Sequence, residues 1–308
     1  MLKYNRKEDG VINLDFTEIC YFDGDQADNK DEKVIEEFGD EWEKFSEFDK
    51  SELNRIGDSY FKLIEDKSLG DDPLVLDIGC GTGRWASYLA DKVGFIEAID
   101  PSKAVISAAN MLKNTDNTRV TKCDVDNIPF DKESFDLVYS LGVLHHIPDT
   151  QQAISQSVKY VKKNKYFLVY LYYALDNRGI VFKRLFYLSN AIRFVVSKLP
   201  KFLKLFVSDL IAVLVYYPIV SITKLLKSGF PNKTFWKKIP LSVYAEHDNT
   251  FQVLRNDALD RFGTRLEQRF SRKEIHEMMT NAGLIDIEFL DTHPYWVAIG
   301  RKPNDKIS

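Results

Sequence analysis

Val75-Leu76-Asp77-Ile78-Gly79-Cys80-Gly81-Thr82-Gly83 is the stretch that decides the fold of this 308-residue chain. An apolar run with the length of a buried strand leads into three glycines, which permit a tight turn and the close approach of a ligand. Residue 84 is arginine, so the spacing is G-x-G-x-G and not the G-x-G-x-x-G of dinucleotide-binding loops. We therefore predict a nucleotide-type loop for a ligand that lacks a pyrophosphate.

From Leu74 onward strands and helices alternate, which is typical of βαβ units and a parallel sheet. The pattern stops at Asp176 and resumes at Ser271–Glu274, a capping box that predicts the start of a helix. Short apolar runs predict seven strands, at Leu74–Ile78, Phe95–Asp100, Val120–Cys123, Phe135–Ser140, Tyr166–Tyr173, Ile285–Leu290 and Tyr295–Gly300.

Three acids stand at the ends of three successive predicted strands. Asp77 precedes the glycines, Asp100 follows Gly79 by 21 residues, and Asp124 ends the third strand beside Val125. An acid at the second position can accept hydrogen bonds from both hydroxyls of a ribose, and Asp124 has the chemistry to accept an adenine amino group. Each acid alone is as well explained as a solvated loop carboxylate, but the three together indicate a binding site for an adenosyl ligand.

These segments resemble successive motifs of class I methyltransferases that use S-adenosylmethionine (SAM). The resemblance rests on Val75–Gly83, Ala98–Ser102, Cys123–Val125 and Phe135–Ser140. Leu144–Asp149 is similar to the segment after strand four in the small-molecule and lipid-precursor branch of that family. The resemblance is strong over residues 73–175 and weaker over 270–302, and the tail is similar to uncharacterised bacterial methyltransferases with a comparable insert.

The resemblance implies a Rossmann-like α/β fold, with a seven-stranded, mostly parallel sheet whose last strand is antiparallel, and a helical cap formed by the insert. It also implies SAM as the cofactor, with the acid before the glycines orienting the amino group. The residues expected to bind SAM are Asp77, Gly79, Cys80, Gly81, Gly83, Asp100, Pro101, Asp124, Val125, Ser140 and Leu141.

Methyl transfer from a sulfonium needs aligned reactants, and a general base only where the nucleophile must lose a proton. His145 and His146 follow the fourth predicted strand and are the catalytic candidates. One of them would act as a base or orient a hydroxyl of the acceptor. The alternative is that they hold their loop to backbone groups.

Candidate substrate-binding residues are Trp42, Tyr173, Arg261 and Arg265. Trp42 shares a helical face with Phe38 and Phe45, and we expect this helix to fold over the site. Tyr173 follows strand five and is equally compatible with the core. The two arginines have the chemistry to grip a carboxylate or phosphate, or else form ion pairs with Asp257, Asp260 and Glu267.

Charge is distributed unevenly along the chain. Residues 1–72 carry 22 Asp and Glu against 10 Lys and Arg, whereas residues 176–245 carry 12 Lys and Arg against Asp176 and Asp209. The insert is also apolar. This composition is compatible with a lid over a hydrophobic acceptor, with a membrane-surface helix, or with a packed subdomain whose lysines face outward. Its apolar run Leu205–Val220 contains Asp209 and is expected to be too short to span a bilayer.

We expect four segments: an acidic N-terminal segment and helix (1–50), the SAM-binding core (51–175), the helical insert (176–250) and the C-terminal completion of the core (251–308). Residues 1–33 are expected to be loosely ordered. Cys20, Cys80 and Cys123 are odd in number and have neither disulfide nor metal-ligand spacing, and the start has no signal-peptide pattern. We expect a cytoplasmic protein, with peripheral membrane contact through the insert left open.

The expected function is methyl transfer to a small-molecule acceptor with an apolar or anionic part, such as a saccharide, a lipid precursor or a secondary metabolite. One alternative is a nucleic-acid methyltransferase. Ser140-Leu141-Gly142-Val143 argues against it, because DNA adenine enzymes have an Asn/Asp-Pro-Pro-Tyr/Phe type of segment there. Another alternative is a noncatalytic SAM-binding partner protein. The acceptor atom stays open between oxygen, nitrogen and carbon.

Overall fold

The computed structural model describes residues 1–24, 29–36, 39, 50–176, 179–230, 232, 235–246, 250–263, 266–292, 294 and 296–304. The chain divides into two compact units. An α/β unit comprises Met1–Asp176 and Gln268–Ser308, and a helical unit comprises Asn177–Glu267. The helical unit thus continues beyond residue 250, where the predicted insert ends.

One sheet organises the α/β unit. Its strands in the described chain have the spatial order β1-β2-β5-β4-β3-β6-β7-β9-β8. Strands β3 to β7 pair with one another in parallel, and β9 is antiparallel to both β7 and β8. The strands are β1 (Gly10–Leu14), β2 (Thr17–Phe22), β3 (Leu74–Ile78), β4 (Phe95–Asp100), β5 (Thr118–Cys123), β6 (Phe135–Leu141), β7 (Val161–Tyr170), β8 (Ile285–Phe289) and β9 (Val297–Arg301).

The predicted Rossmann-like fold is confirmed, with all seven predicted strands present and the last one antiparallel. The central strands were readable from sequence because both of their faces are covered, which favours uninterrupted apolar runs. Every residue of β6 is buried. Successive side chains alternate between the two faces, so that Leu76 and Val138 belong to one core cluster while Val75 and Leu137 belong to another.

An N-terminal hairpin adds two strands that the sequence analysis missed. Strands β1 and β2 pair in antiparallel fashion, and Tyr21 and Phe22 of β2 pair with the end of β5. Ile19 and Phe22 are buried. The expectation that residues 1–33 are loosely ordered is therefore wrong for this hairpin. The hairpin was missed because its two buried side chains lie in an acidic stretch of the chain. Its partner strand β5, whose edge it covers, is also about 100 residues away in the chain.

Helices cover both faces of the sheet in the α/β unit. Phe61, Ala86 and Val105 share one core cluster, whereas Ile154 and Ile275 belong to the cluster on the opposite face. The predicted capping box is confirmed, with Ser271 N donating to Glu274 Oε2 (2.7 Å) and Glu274 N donating to Ser271 Oγ (3.3 Å). The helices are α1 (Lys50–Phe61), α2 (Arg84–Leu89), α3 (Ala104–Leu112), α4 (Thr150–Val158) and, after the helical unit, α10 (Arg272–Asn281).

The helical unit has its own small core. This cluster includes Ala212, Tyr216 and Val220 on one side and Leu254 and Ala258 on the other. The helices of the unit are α5 (Ile180–Val196), α6 (Lys201–Ile211), α7 (Tyr217–Gly229), α8 (Ser242–Glu246) and α9 (Phe251–Gly263). A π-helical turn over Ala212–Tyr216 joins α6 to α7.

A long apolar helix, Phe202–Gly229, runs through α6, this π-helical turn and α7. It has 28 residues, and its most apolar stretch of 18 residues has a mean hydropathy of 2.1, which is long and apolar enough to cross a membrane by length and composition alone. The expectation that the apolar run is too short is therefore wrong. Asp209 lies inside this helix, and Arg255 of α9 pairs with its carboxylate through two hydrogen bonds of 2.5 and 2.8 Å.

A buried ion pair ties the N-terminus to the sheet. Arg119 of β5 donates from Nε to Glu97 Oε2 (2.8 Å) and from Nη2 to Glu97 Oε1 (2.7 Å). The same guanidinium donates to the carbonyl of Leu2 (2.7 Å) and lies over the ring of Tyr4. Burial raises the pKa of the Glu97 carboxyl, and Arg119 opposes that shift. The pair is therefore held by hydrogen bonds to both oxygens of Glu97 and by a further bond from Arg119 to the backbone.

We expect Arg119→Ala to lower the free energy of unfolding by about 3–5 kcal/mol, because it leaves the buried Glu97 carboxylate uncompensated. The double variant Glu97→Leu/Arg119→Leu should lose less, since no buried charge is left alone. Urea denaturation followed by circular dichroism measures both values. Equal losses in the two variants would contradict this account.

Candidate functional site

The site lies at the carboxyl end of β3, where the direction of the sheet connections reverses. Strand β4 pairs with one edge of β3 and β6 pairs with the other, and all three run parallel. In open α/β sheets such a switch point leaves a crevice outside the strand ends, where ligands bind. The sheet therefore brings the ends of β3, β4 and β6 to one edge, with the end of β5 next to that of β4.

The glycine loop after β3 is the tight turn that its sequence predicts. Gly79, Gly81 and Gly83 have φ values of +76°, +54° and +78°, which side chains rarely adopt. The amides of Gly79 and Cys80 both donate to the carbonyl of Ile99, at 2.8 and 2.9 Å. A Cβ built on Gly79 would lie 2.5 Å from Val143 Cγ1. The glycine positions of the loop therefore carry no side chains that would block a ligand, and the backbone of the loop is anchored to the end of β4.

Asp77 is a buried acid at the root of this loop. Its side chain is 1% exposed, and Oδ2 has no hydrogen-bond partner in the part of the chain that the structure describes. Burial raises its pKa from 3.8 to about 8, with a further rise from Asp100, whereas Tyr139 and Arg84 oppose the shift. An unpartnered buried carboxyl is well suited to a cationic ligand group, which would stabilise the ionised form.

Asp100 organises the loop from the end of β4. Its Oδ2 accepts from the Gly81 amide (3.0 Å), and its Oδ1 accepts from the amide (2.8 Å) and hydroxyl (2.6 Å) of Ser102. Asp100, the acid that the sequence predicts to bind the ribose, therefore also holds the glycine loop in place. A carboxylate has about four lone-pair sites, so these three bonds leave room for another donor.

The remaining predicted cofactor residues lie around these two acids. Asp124 is half-buried, and its Oδ1 accepts from the Asp126 amide and from Asn127 Nδ2. The hydroxyl of Ser140 donates to the carbonyl of Ile78 at 2.8 Å, which ties β6 to β3 at the switch point. Cys80, Val125 and Leu141 are buried, and Pro101 is half-buried. Their contacts with a cofactor stay predictions.

The two histidines lie in a short 3₁₀ turn after β6, and both are buried. The His145 ring packs on Tyr172 (centroids 3.9 Å apart) and on His146 (4.1 Å). Neither ring nitrogen of His145 has a hydrogen-bond partner in the described residues. Burial, His146 and Arg269 together hold its pKa well below the usual value, so the ring is neutral. The predicted role of holding the loop through ring-to-backbone bonds is not what His145 does here.

The predicted substrate residues fall in different units of the chain or outside the described residues. Tyr173 forms an isolated bridge with Phe270 in the α/β unit. Arg261 lies inside the helical unit, where it donates to Glu267 (2.6 Å), Ser189 and Asn190. The contact with Glu267 agrees with the alternative expectation that Arg261 forms an ion pair within its own segment. Trp42 and Arg265 lie outside the described residues, as do Phe38 and Phe45.

An aromatic group beside the glycine loop was missed by the sequence analysis. Tyr60 of α1 packs on Trp85 (centroids 5.2 Å apart), the second residue after the loop, and on Tyr170 at the end of β7 (5.0 Å). Arg84 lies over the Trp85 ring. The sequence signal was the Arg-Trp pair directly after the last glycine, whereas Tyr60 and Tyr170 are distant in sequence.

Asp77 generates a prediction about stability and pH. Its folded-state pKa is raised, so the ionised acid disfavours the folded, ligand-free protein, and this penalty grows as pH rises from about 4 to 8. We expect Asp77→Asn to raise the Tm by at least about 3 °C at pH 8 and by much less at pH 5. Differential scanning fluorimetry across this range measures both differences.

A matched control uses Asp124→Asn, because the Asp124 carboxylate already accepts two hydrogen bonds within its own turn. This variant should lose stability instead of gaining it. A Tm of Asp77→Asn below that of the parent at pH 8 would show that the buried carboxylate is satisfied after all.

Known proteins support an assignment of this domain. Residues 76–169 match a family model described as a methyltransferase domain. The chain is 26% identical over 151 residues to a ubiquinone biosynthesis O-methyltransferase of Coxiella burnetii, a match over 48% of this chain and 62% of that protein. It is 28% identical over 106 residues to the uncharacterized methyltransferase YcgJ of Bacillus subtilis, over 33% of this chain and 42% of that protein.

The chain thus spans about three fifths of the length of the Coxiella relative. Among solved structures, that of Bacillus subtilis YcgJ matches with a TM-score of 0.47 and 14% identity, over 80% of this chain and 99% of that one. Residues 76–169 of this chain are a methyltransferase domain of the class I, SAM-dependent family.

Proposed function

We propose that this protein transfers the methyl group of SAM to a small-molecule acceptor. The observation that carries the proposal is the buried carboxyl of Asp77, whose Oδ2 has no hydrogen-bond partner among the described residues, beside a glycine backbone that carries no side chains. SAM supplies an activated methyl group on a sulfonium, together with an amino-acid moiety that bears an ammonium. A buried acid and a close-approach loop match those two features.

The residues of the chain fit this cofactor in named roles. Asp77 would pair with the ammonium, which would bring the carboxyl back to its ionised form. Asp100 has acceptor capacity left for the ribose hydroxyls. Asp124, at the end of the neighbouring strand, would accept the adenine amino group. The half-buried Tyr60 and buried Trp85 exclude water beside the loop.

Among the described residues, His145 is the group that we propose handles a proton of the acceptor. Its ring is neutral and its nitrogens are unpartnered among the described residues, so one nitrogen is available as an acceptor. A neutral ring also avoids repulsion of a sulfonium. We therefore assign it the removal of a proton from the acceptor, or the orientation of an acceptor hydroxyl.

The names of the relatives support a proposal for the class of acceptor. The Coxiella burnetii protein is by name an O-methyltransferase of ubiquinone biosynthesis, which favours a hydroxyl on a small molecule. An acceptor with an apolar part also agrees with the apolar composition of residues 177–245. Incubation of the protein with methyl-tritiated SAM and fractionated cell extracts tests this directly. Label recovered in organic-soluble small molecules supports the proposal, whereas label in nucleic acid, or no transfer, contradicts it.

We expect Asp77→Asn to weaken SAM binding at least about tenfold, because a charge-assisted hydrogen bond is lost. Isothermal titration calorimetry at pH 7.5 to 8 measures the affinity. Because the same variant is expected to be more stable than the parent, weaker binding could not be ascribed to unfolding. Unchanged affinity would remove Asp77 from the cofactor site.

Asp100→Ala should weaken SAM binding by about 1.5–3 kcal/mol for each charge-assisted bond to the ribose that is lost. Because Asp100 also holds the Gly81 amide, 2′-deoxy and 3′-deoxy analogues of SAM separate the two roles. The parent protein should discriminate against these analogues, and Asp100→Ala should not. Discrimination that persists in the variant would contradict the ribose assignment.

His145→Ala should lower kcat about a hundredfold or more, while SAM affinity stays within a factor of about two. A control is His276→Ala on the exposed side of α10. Turnover with an acceptor found in the extract screen measures the effect. A variant that keeps its kcat would leave His145 with a packing role against Tyr172.

A further inference from the structure

Exposed apolar side chains are concentrated in the helical unit. Of the 24 large hydrophobic side chains that are exposed in the described residues, 20 belong to this unit, although it is the smaller of the two. Single exposed hydrophobic residues are common on soluble proteins, but contiguous clusters mark interaction surfaces. The exposed groups lie mostly on α5 and on the helix Phe202–Gly229, and we call them the apolar surface.

Helix α5 turns polar side chains toward the buried Arg261 and most of its large apolar side chains outward, an inversion from which the buried Val196 at its end departs. Leu188, Ile192 and Val195, which follow one helical stripe, are 60%, 43% and 61% exposed. On the inward side, the hydroxyl of Ser189 and the amide oxygen of Asn190 accept hydrogen bonds from the buried Arg261. A helix in a water-soluble protein has the opposite arrangement.

The helix Phe202–Gly229 shows the same inversion. Its inward face includes Ser208 and Thr223, which are fully buried, beside Ala212 and Tyr216. Its outward face includes the exposed Phe206, Leu214, Ile222 and Leu225, and 22% of its most apolar stretch is buried.

We propose that the apolar surface embeds in the interfacial layer of a membrane that contains anionic lipids. Charge complementarity selects this occupant, because residues 177–245 carry 12 Lys and Arg against the single acid Asp209. Arg184 and Lys198 are exposed on or next to the apolar stripe of α5. Apolar side chains beside basic ones are the composition of helices that bind the boundary between headgroups and acyl chains.

The connections of the helical unit favour a helix that lies in the interface over one that crosses the bilayer. Both ends of the unit return to the α/β unit, where Ala174 N donates to Phe270 O at 2.9 Å. One crossing would leave these two chain segments on opposite sides of the membrane. In the described residues, Phe202–Gly229 is the one candidate span. Its Asp209 is also paired with Arg255 of α9, which a crossing would draw into the hydrocarbon.

This inference does not depend on the proposed catalytic function, since it concerns a different unit of the chain. Its consequence for that function is that an acceptor with an apolar part would be taken up at the membrane surface.

Vesicle flotation of the full-length protein tests the surface. The protein should float with phosphatidylcholine vesicles that contain about 30% phosphatidylglycerol, and less with phosphatidylcholine alone or at high salt. Phe206→Glu and Leu225→Glu should each lower the bound fraction about tenfold. The matched control Ile106→Glu changes an exposed hydrophobic residue of the α/β unit and should bind like the parent. Unchanged circular dichroism and SAM affinity show that the variants are folded.

Two outcomes would overturn the proposal. One is that the parent protein fails to float with either kind of vesicle. The other is that the Phe206→Glu and Leu225→Glu variants bind vesicles as well as the parent. In either case, light scattering that shows a dimer of the parent and a monomer of these variants would assign the apolar surface to a second copy of the chain.

Cysteine labelling decides between lying in the interface and crossing. Lys198→Cys and Ser228→Cys lie near the two ends of the long helix, and Cys20→Ser removes the one half-exposed native thiol. With vesicle-bound protein, a membrane-impermeant maleimide added outside should label both positions. Labelling at one end only, with the other end reached after detergent, would contradict the interfacial arrangement.

Discussion

The constraint on which the α/β unit depends is the buried carboxyl of Asp77, whose Oδ2 has no hydrogen-bond partner in the described part of the chain. Asp77 ends a central strand whose neighbours on both sides are buried, and its pKa is raised to about 8. From this raised pKa we expect an amide at the same position to make the ligand-free fold more stable at neutral pH and above. Strained or unsatisfied groups persist where they serve a ligand, and here the surrounding loop presents bare backbone beside the acid.

The rest of the site supports that acid by ordinary backbone chemistry. Asp100 fixes the Gly81 amide, Ser140 ties β6 to the carbonyl of Ile78, and the Ile99 carbonyl receives two loop amides. Each bond crosses between neighbouring strand ends, so the sheet register determines the position of the loop. The cofactor loop is therefore as rigid as the sheet, which suits a reaction that depends on alignment.

The two units use their apolar residues in opposite ways. In the α/β unit, alternate side chains of each central strand enter two cores, one on each face of the sheet. In the helical unit a small core of residues such as Ala212 and Leu254 is enclosed, while most large apolar side chains of α5 and the long helix face outward. In the first arrangement most large apolar side chains are removed from water. In the second most of them stay exposed to water, which is the basis for proposing that the helical unit binds a membrane.

The sequence by itself determined the elements whose signals are local. The glycine loop, the seven core strands and the Ser271–Glu274 capping box were all predicted, because buried parallel strands are continuous apolar runs and caps have fixed spacing. Only the tertiary structure decided the hairpin on β5, the burial of His145 and the pairing of Arg255 with Asp209. These depend on partners distant in the chain, or on the depth at which a turn is buried. Periodicity along a single segment reports neither, because it records which face of an element is apolar and not what covers that face.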